Sequence, residues 1–361
     1  MEPSSSFSPS DLILAAVLLL VAIPDADASP RPQAESCRRS ELAGVASASR
    51  ADEGPIRRND GSQEAAQLLP AWAVVVDVLP PDGLVTDSVY VRKVQEAGLP
   101  WRIRHEGLGM NFLLVPAGVT VRGAEDDDTE AHGKEIGRHW VRIESAFYLG
   151  ETEVTEAQWR LVQGLDPVPE PAGRLPRVNV TWRDLLEFCT RSGLELPRDS
   201  EWEYAARAGR SARVSLEEIQ RTDWVGADGW ESGPQAVGTR GRNAWGFADM
   251  LGNVREATCT RYGNYRELVP VGAELHPELE VSSLADDRIV SYHIVFRGGS
   301  YLAPLDQLQP TMRISMEPDV SNRALGLRAA YHLSNKPDMV KALTWDKADF
   351  ERYIQDRKPT K

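Results

Sequence analysis

Residues 296–303 read Phe-Arg-Gly-Gly-Ser-Tyr-Leu-Ala, and this segment decides how the rest of the chain is interpreted. It follows an apolar, strand-like run at residues 289–296. Two adjacent glycines after a strand let the backbone take positive φ or pass close to another segment, as a loop at a site often requires. We therefore expect a tight loop at Gly298 and Gly299 that belongs to a functional site.

Two further segments occur with this loop in a fixed order. Residues 249–256 read Asp-Met-Leu-Gly-Asn-Val-Arg-Glu, and residues 196–207 read Leu-Pro-Arg-Asp-Ser-Glu-Trp-Glu-Tyr-Ala-Ala-Arg. Together the three segments resemble the formylglycine-generating enzyme (sulfatase-modifying factor) family, whose usual forms are Arg-Gly-Gly-Ser, Gly-Asn-Val-Trp-Glu-Trp and Leu-Pro-Thr-Glu-Ala-Glu-Trp-Glu-Tyr-Ala. The resemblance covers roughly residues 101–333. It implies an α+β fold, a single domain with little regular secondary structure that is related in shape to C-type lectins.

The chain departs from the family where the chemistry takes place. In relatives that convert a sulfatase cysteine to formylglycine, two cysteines after the Gly-Gly-Ser-Tyr run hold copper(I), because thiolate ligands select Cu(I) over harder metals. The matching positions here are Ala303 and Leu308, so no copper is expected. Arg255 and Ala257 replace the two tryptophans of the Gly-Asn-Val-Trp-Glu-Trp run. Ser300 is retained, and the resemblance implies that its hydroxyl lines the substrate pocket.

The resemblance leaves several functions open. The first is a noncatalytic binding module for a peptide, a glycan or another exported protein, with binding residues in the loop: Arg297, Gly298, Gly299, Ser300 and Tyr301. The second is a formylglycine-generating oxidoreductase that acts on sulfatase cysteines by an unrecognised site or a cysteine-free route. The third is a cysteine-independent modifying enzyme of the same fold. The missing thiols favour the first function over the second.

The resemblance also implies a calcium ion at the turn before Glu256. The carboxylate of Glu256 and the main-chain carbonyls of Leu251, Gly252 and Val254 would supply the oxygen ligands that a hard cation prefers. The alternative is that Glu256 pairs with a neighbouring arginine, either Arg255 or Arg297. The acidic run at residues 125–130 is a second place for a cation, although a solvated acidic loop explains it as well.

Composition and the N-terminus bear on partners and location. The chain has 361 residues and a net charge of -13, which argues against nucleic-acid binding. An apolar run at residues 12–23, followed by Ala-Asp-Ala at 26–28, predicts a signal peptide at residues 1–28 and a secreted or periplasmic protein. The run is too short for a stable membrane span, which needs about 20 residues. Because residues 1–11 lack Lys and Arg, an uncleaved anchor or an atypical signal stays open.

The rest of the chain divides by composition. Residues 29–66 read as a disordered spacer, residues 67–100 as a lead-in segment, and residues 334–361 as a charged tail. The cysteines, Cys37, Cys189 and Cys259, form no CxxC or zinc spacing. A buried, inert Cys189 is expected, Cys259 is the thiol to test for reactivity, and a disulfide between the two stays open.

Helices are predicted from capping residues and apolar periodicity. A short helix is expected at residues 87–97, ending at Gly98. Thr155 and Thr181 begin two further helices, the second with a buried stripe made of Trp182, Leu185, Leu186 and Cys189. A capping box between Ser200 and Glu203 predicts another helix, on which Glu201 and Glu203 do not face each other and so form no acid/base pair. Residues 210–245 show no clear periodicity.

Overall fold

A computed structural model of the chain describes residues 68–124, 128, 131, 135, 137–226, 233–262 and 293–334. All of them belong to one compact unit of the chain, at residues 57–361. The predicted signal peptide, spacer and charged tail lie outside the described residues, apart from Ser334, and so does most of the acidic run at 125–130. Nothing in the structure tests the domain boundaries predicted from composition.

The larger sheet has five strands in the order β1-β2-β3-β6-β11, and every neighbouring pair is antiparallel. Its strands are β1 (Ala73–Asp77), β2 (Arg102–His105), β3 (Met110–Val115), β6 (Phe147–Gly150) and β11 (Ala330–His332). A separate antiparallel pair joins β4 (Gly118–Arg122) to β5 (His139–Ile143). The lead-in segment thus supplies an edge strand to the larger sheet.

The second sheet carries the three segments of the resemblance close together. Its order is β10-β7-β8-β9, with β7 (Arg255–Arg261), β8 (Ile294–Arg297), β9 (Arg313–Met316) and β10 (Leu325–Leu327). Only β10 runs parallel to its neighbour, β7. Because β8 ends at Arg297, the Gly298-Gly299 loop leaves this sheet beside the turn that leads into β7.

Five α-helices occur in the described residues: α1 (Ser88–Ala97), α2 (Glu156–Gln163), α3 (Trp182–Ser192), α4 (Asp199–Arg207) and α5 (Leu216–Thr222). Short 3₁₀ turns lie at Ala172–Arg174 and Leu305–Gln307. The predicted start of α1 at Asp87 and its end at Gly98 are confirmed. The capping boxes of Thr155 with Gln158 and of Thr181 with Asp184 are present, so α2 and α3 begin where the sequence predicted.

Three helix predictions need correction. The buried stripe of α3 includes Phe188, whereas Leu186 is only partly buried. Helix α4 begins at Asp199, and the backbone N–H of Arg198 donates to the Glu201 carboxylate at 2.7 Å, so Ser200 is not its cap. Helix α5 lies inside the stretch judged to lack periodicity, and it begins after Ser215, whose side chain accepts from the backbone N–H of Glu218.

The core is continuous between the sheets and helices and is rich in tryptophan. Trp101, Trp202 and Trp245 are among its largest fully buried side chains. Cys189 and Cys259 are both buried and both free, so the disulfide left open by the sequence does not form in this structure. Burial raises the pKa of the Cys189 thiol, as expected for an inert cysteine.

Candidate functional site

The loop at Gly298 and Gly299 requires glycine at both positions. Both residues have positive φ, 84° and 69°. A Cβ on Gly298 would lie 2.9 Å from the carbonyl oxygen of Met250, and one on Gly299 would collide with the Leu308 side chain. The prediction from the sequence, positive φ and close approach to another segment, is therefore confirmed. The loop packs tightly on the turn before β7 and on the segment after it.

The three residues that carry the copper argument lie inside this packing. Ser300 and Leu308 are fully buried, and Ala303 is 2% exposed. The Ser300 hydroxyl accepts from the backbone N–H of Leu302 at 3.3 Å. A methyl group and an isobutyl group thus occupy the positions where copper(I) would need two thiolates, so these residues do not fit that metal.

Arg297 is held inside a buried network of charges. Its guanidinium donates to Asp199 and, at 2.8 Å, to Glu203. Its remaining N–H groups reach the carbonyl oxygens of Pro310 and Met312 at 2.9 and 3.3 Å. Burial would raise the pKa of both carboxyl groups, but the surrounding arginines lower them, that of Glu203 to about 2. All donors of Arg297 are used to hold α4 against β8.

The rest of this network comes from three other arginines. Arg313 donates to Asp199 at 2.9 Å, Arg207 donates to Glu203 at 2.9 Å, and Arg122 pairs with Asp199. Buried charges persist only when they are paired and hydrogen-bonded. The network is therefore structural, and the rejection of Glu203 as a catalytic acid agrees with it.

All five residues that the resemblance assigned to binding are buried: Arg297, Gly298, Gly299, Ser300 and Tyr301. The Tyr301 hydroxyl differs from the rest, since it is a buried polar atom with no hydrogen-bond partner in the described residues. The structure gives the loop little accessible surface. The binding role of these residues stays a prediction.

Glu256 lies at the start of β7 and is fully buried. Arg328 donates to both of its oxygens, from Nε at 2.9 Å and from Nη2 at 2.6 Å, and the indole N–H of Trp202 donates to Oε2 at 2.5 Å. The arginine pairing considered as the alternative to calcium is thus present, but its partner is Arg328 rather than Arg255 or Arg297. Sequence reasoning missed Arg328, which lies 72 residues away along the chain.

Calcium must be weighed against this pairing. An ion on the Glu256 carboxylate would have to displace the Arg328 guanidinium, so the side chains as they lie do not fit a calcium site there. Within the described ranges, no group of three or more His, Cys, Asp or Glu side chains is arranged to hold a metal. The carbonyl ligands expected from Leu251, Gly252 and Val254 are not tested by that search. The calcium site stays a prediction.

Other carboxyl groups surround Arg328 on the inner side of the turn. Both oxygens of Glu153 are buried without a hydrogen-bond partner, and burial together with the nearby Asp249 and Glu256 raises its pKa. Burial likewise raises the pKa of Asp249 to about 6 and that of Asp223 to about 7. Such a cluster stays compatible with burial when part of it is protonated.

A cavity of about 310 Å³ lies beside the segment that follows Leu308. Gln309, Pro310 and Thr311 line one side of it, and Arg207 and Arg213 line another. Its volume is at the lower end of the range of small-molecule sites. The donors of Arg207 are engaged by Glu203 and by the carbonyls of Gly123 and Ser211, so it contributes shape rather than a free charge.

The geometry described above brings the Gly-Gly-Ser-Tyr loop, the Gly-Asn-Val-Arg-Glu turn and helix α4 into one buried cluster. Comparison with known proteins agrees. Residues 104–333 match the Sulfatase-modifying factor enzyme 1-like domain, which is more than half of the chain. The chain therefore belongs to this family, and its α+β fold, with few long regular elements, is the one predicted from the sequence.

Several curated relatives are similar to the chain over part of their length. The formylglycine-generating enzyme of Mycobacterium tuberculosis is 28% identical over 194 residues, which is 48% of this chain and 63% of that protein. The inactive C-alpha-formylglycine-generating enzyme 2 of Mus musculus is 27% identical over 223 residues, 53% of this chain and 65% of that protein. The chain thus spans just under two thirds of the length of these relatives.

A third relative and one solved structure complete the picture. The hercynine oxygenase of Mycolicibacterium smegmatis is 26% identical over 284 residues, 65% of this chain and 64% of that protein. Treponema denticola variable protein 1 superposes with a TM-score of 0.49 at 20% identity, covering 62% of this chain and 95% of that one. In the described part of the chain, no helix has both the length and the apolar character needed to cross a membrane.

Proposed function

We propose that the protein is an exported, noncatalytic member of this family that binds a peptide, a glycan or another exported protein. The observation that carries the proposal is the apolar packing of Ala303 and Leu308 at both positions where active relatives need thiolates. A C–H bond of the substrate cysteine is not activated by a methyl and an isobutyl group. Family membership alone does not decide activity, because function depends on the site rather than on the fold.

The remaining thiols do not restore the chemistry. Cys189 and Cys259 are both buried, and neither belongs to the Gly-Gly-Ser-Tyr segment. A displacement of about 1 Å in a catalytic group already costs ~100-fold in rate. Relatives of both kinds match the chain, one named as an active and one as an inactive formylglycine-generating enzyme. The inactive relative is therefore the closer functional analogy in our proposal.

The test uses a sulfatase-derived peptide containing Cys-x-Pro-x-Arg, incubated with the full chain, oxygen, reductant and copper. We expect mass spectrometry to find the cysteine unmodified, while the Mycobacterium tuberculosis enzyme converts the same peptide under the same conditions. Aldehyde product above a no-protein control would overturn the noncatalytic function. Its loss in a Cys259→Ser variant, but not in a Cys189→Ser variant, would then identify the thiol responsible.

A further inference from the structure

Strand β7 begins with an arginine whose charge is not paired. The Nε atom of Arg255 is buried and has no hydrogen-bond partner, and within the described residues Arg255 makes no ion pair. The residue as a whole is only partly buried, so the outer part of the guanidinium is accessible. Burial lowers the pKa of Arg255, which means that the surroundings disfavour its charge. A guanidinium in this position would gain from an anionic partner.

Two other polar groups converge on the same place. The backbone N–H of Arg255 donates to the carbonyl oxygen of Ala324 at 2.8 Å, next to Arg323. The backbone N–H of Tyr301 donates to the carbonyl oxygen of Asn253, also at 2.8 Å. The Tyr301 hydroxyl is buried without a partner; burial raises its pKa, and the charge of Arg323 opposes that change. These bonds gather two arginines and a tyrosine at the edge of the sheet.

An unpaired buried charge is expensive, and proteins that contain one usually pair it with an opposite charge. Elsewhere in this molecule the rule is followed: Arg297 and Arg328 are more deeply buried than Arg255, and each is paired with carboxylates. Arg255 is the exception among these three. It also stands where the family's motif has a tryptophan, so an apolar ring has been exchanged for a cation next to the loop that has lost its thiols.

We propose that Arg255, Tyr301 and Arg323 form a binding site for an oxyanion, a carboxylate, sulfate or phosphate group, on the ligand. This inference rests on the binding function proposed above and names the chemical class that the site selects. A guanidinium offers parallel N–H donors that match two oxygens of such a group. The Tyr301 hydroxyl supplies a further donor, and the exposed Arg323 adds charge at the rim.

The experiment observes the buried donor directly. The full chain is labelled with ¹⁵N-arginine, and the Nε resonance of Arg255 is identified by its loss in an Arg255→Met variant. Sodium acetate, sulfate and phosphate are then titrated, each against sodium chloride at equal ionic strength. We expect a saturable shift of this resonance with at least one oxyanion and only a small linear drift with chloride. Acetate alone would indicate a carboxylate ligand, and sulfate or phosphate alone a tetrahedral one.

Variants separate binding from folding. Arg255→Met removes an uncompensated charge and keeps an unbranched side chain, so we expect it to fold with an unchanged or higher unfolding midpoint. Tyr301→Phe should weaken the oxyanion roughly 10-fold, the value of one hydrogen bond to a charged group. Arg142→Met, at an exposed position on β5, is the matched control and should leave the titration unchanged.

The outcome that overturns the site is an Arg255 Nε resonance that shows no saturable shift with any of the three oxyanions. A Tyr301→Phe variant with unchanged affinity would remove Tyr301 from the site. These results are independent of the activity test. If no oxyanion binds and the sulfatase peptide stays unmodified, the oxyanion site fails while the noncatalytic function stands. If an oxyanion binds and the peptide is converted, the noncatalytic function fails instead.

Discussion

At the scale of single residues, His332 shows how a buried charge depends on its partners. His332 is 2% exposed and stacks on Phe147, with ring centroids 5.3 Å apart. Its Nε2 atom lies 2.9 Å from Glu201, and its Nδ1 atom lies 3.5 Å from Glu195. Burial by itself would lower the pKa of His332, but these carboxylates outweigh burial and raise it to about 9. The imidazolium therefore persists at neutral pH inside the core.

The sign of the pH dependence follows from that shift. A histidine whose pKa is higher in the folded than in the unfolded state stabilises fully below about pH 6.5, and the contribution is lost as the pH rises through about 9. We expect the free energy of unfolding from urea titrations to fall over this interval. His332→Gln should lower it by about 3 kcal/mol at neutral pH and flatten the slope. His293→Gln, at an exposed histidine, is the control, and an unchanged slope in His332→Gln would contradict the prediction.

The loop residues show what a sequence can and cannot indicate at this scale. Loss of copper chemistry was predictable, because Ala303 and Leu308 cannot supply sulfur in any conformation. The fate of Arg297 was not, because its partner Asp199 lies 98 residues away along the chain. A motif residue that looks available for a ligand in the sequence is, in the fold, the centre of an ion network.

At the scale of elements, local signals predicted helix starts wherever nothing distant competed. The threonine caps of α2 and α3 act through residues three positions away, so they were readable. The start of α4 was misplaced because Glu203 is needed by Arg297 and Arg207, while Glu201 is shared by Arg198 and His332. Helix α5 was missed although Ser215 and Glu218 have capping-box spacing, a signal that was present in the sequence.

The turn before β7 is the element on which the calcium prediction can be tested. Thermal unfolding is measured in calcium and in EGTA, because an ion bound only by the native state raises the midpoint. The pairing of Glu256 with Arg328 leads us to expect the same midpoint in both. A lower midpoint in EGTA would instead establish calcium binding. Glu256→Gln leaves Arg328 buried without its partner, so it should cost about 3–5 kcal/mol in both conditions.

At the scale of the whole molecule, the internal ion pairs sharpen the effect of composition. The net charge is -13, and Arg297, Arg313, Arg328 and Arg207 are all buried. These four arginines neutralise internal carboxylates and offer no contact to a polyanion. Nucleic-acid binding depends on surface Lys and Arg that replace counterions along the phosphate backbone. The expectation of a non-nucleic-acid partner therefore rests on more than the sum of charges, and it leaves Arg255 and Arg323 as a local exception.

Export is the whole-molecule property that remains to be measured. The apolar run at residues 12–23 and the Ala-Asp-Ala pattern at 26–28 lead us to expect cleavage after Ala28. N-terminal sequencing of secreted material should begin at Ser29. An arginine within the apolar run, Leu18→Arg, should abolish both secretion and cleavage, because the run is the part that the export machinery recognises. The matched Ser5→Arg variant supplies the positive charge that residues 1–11 lack, so it should leave export intact or improve it. Retention of Met1 on a membrane fraction would show that the segment is an uncleaved anchor.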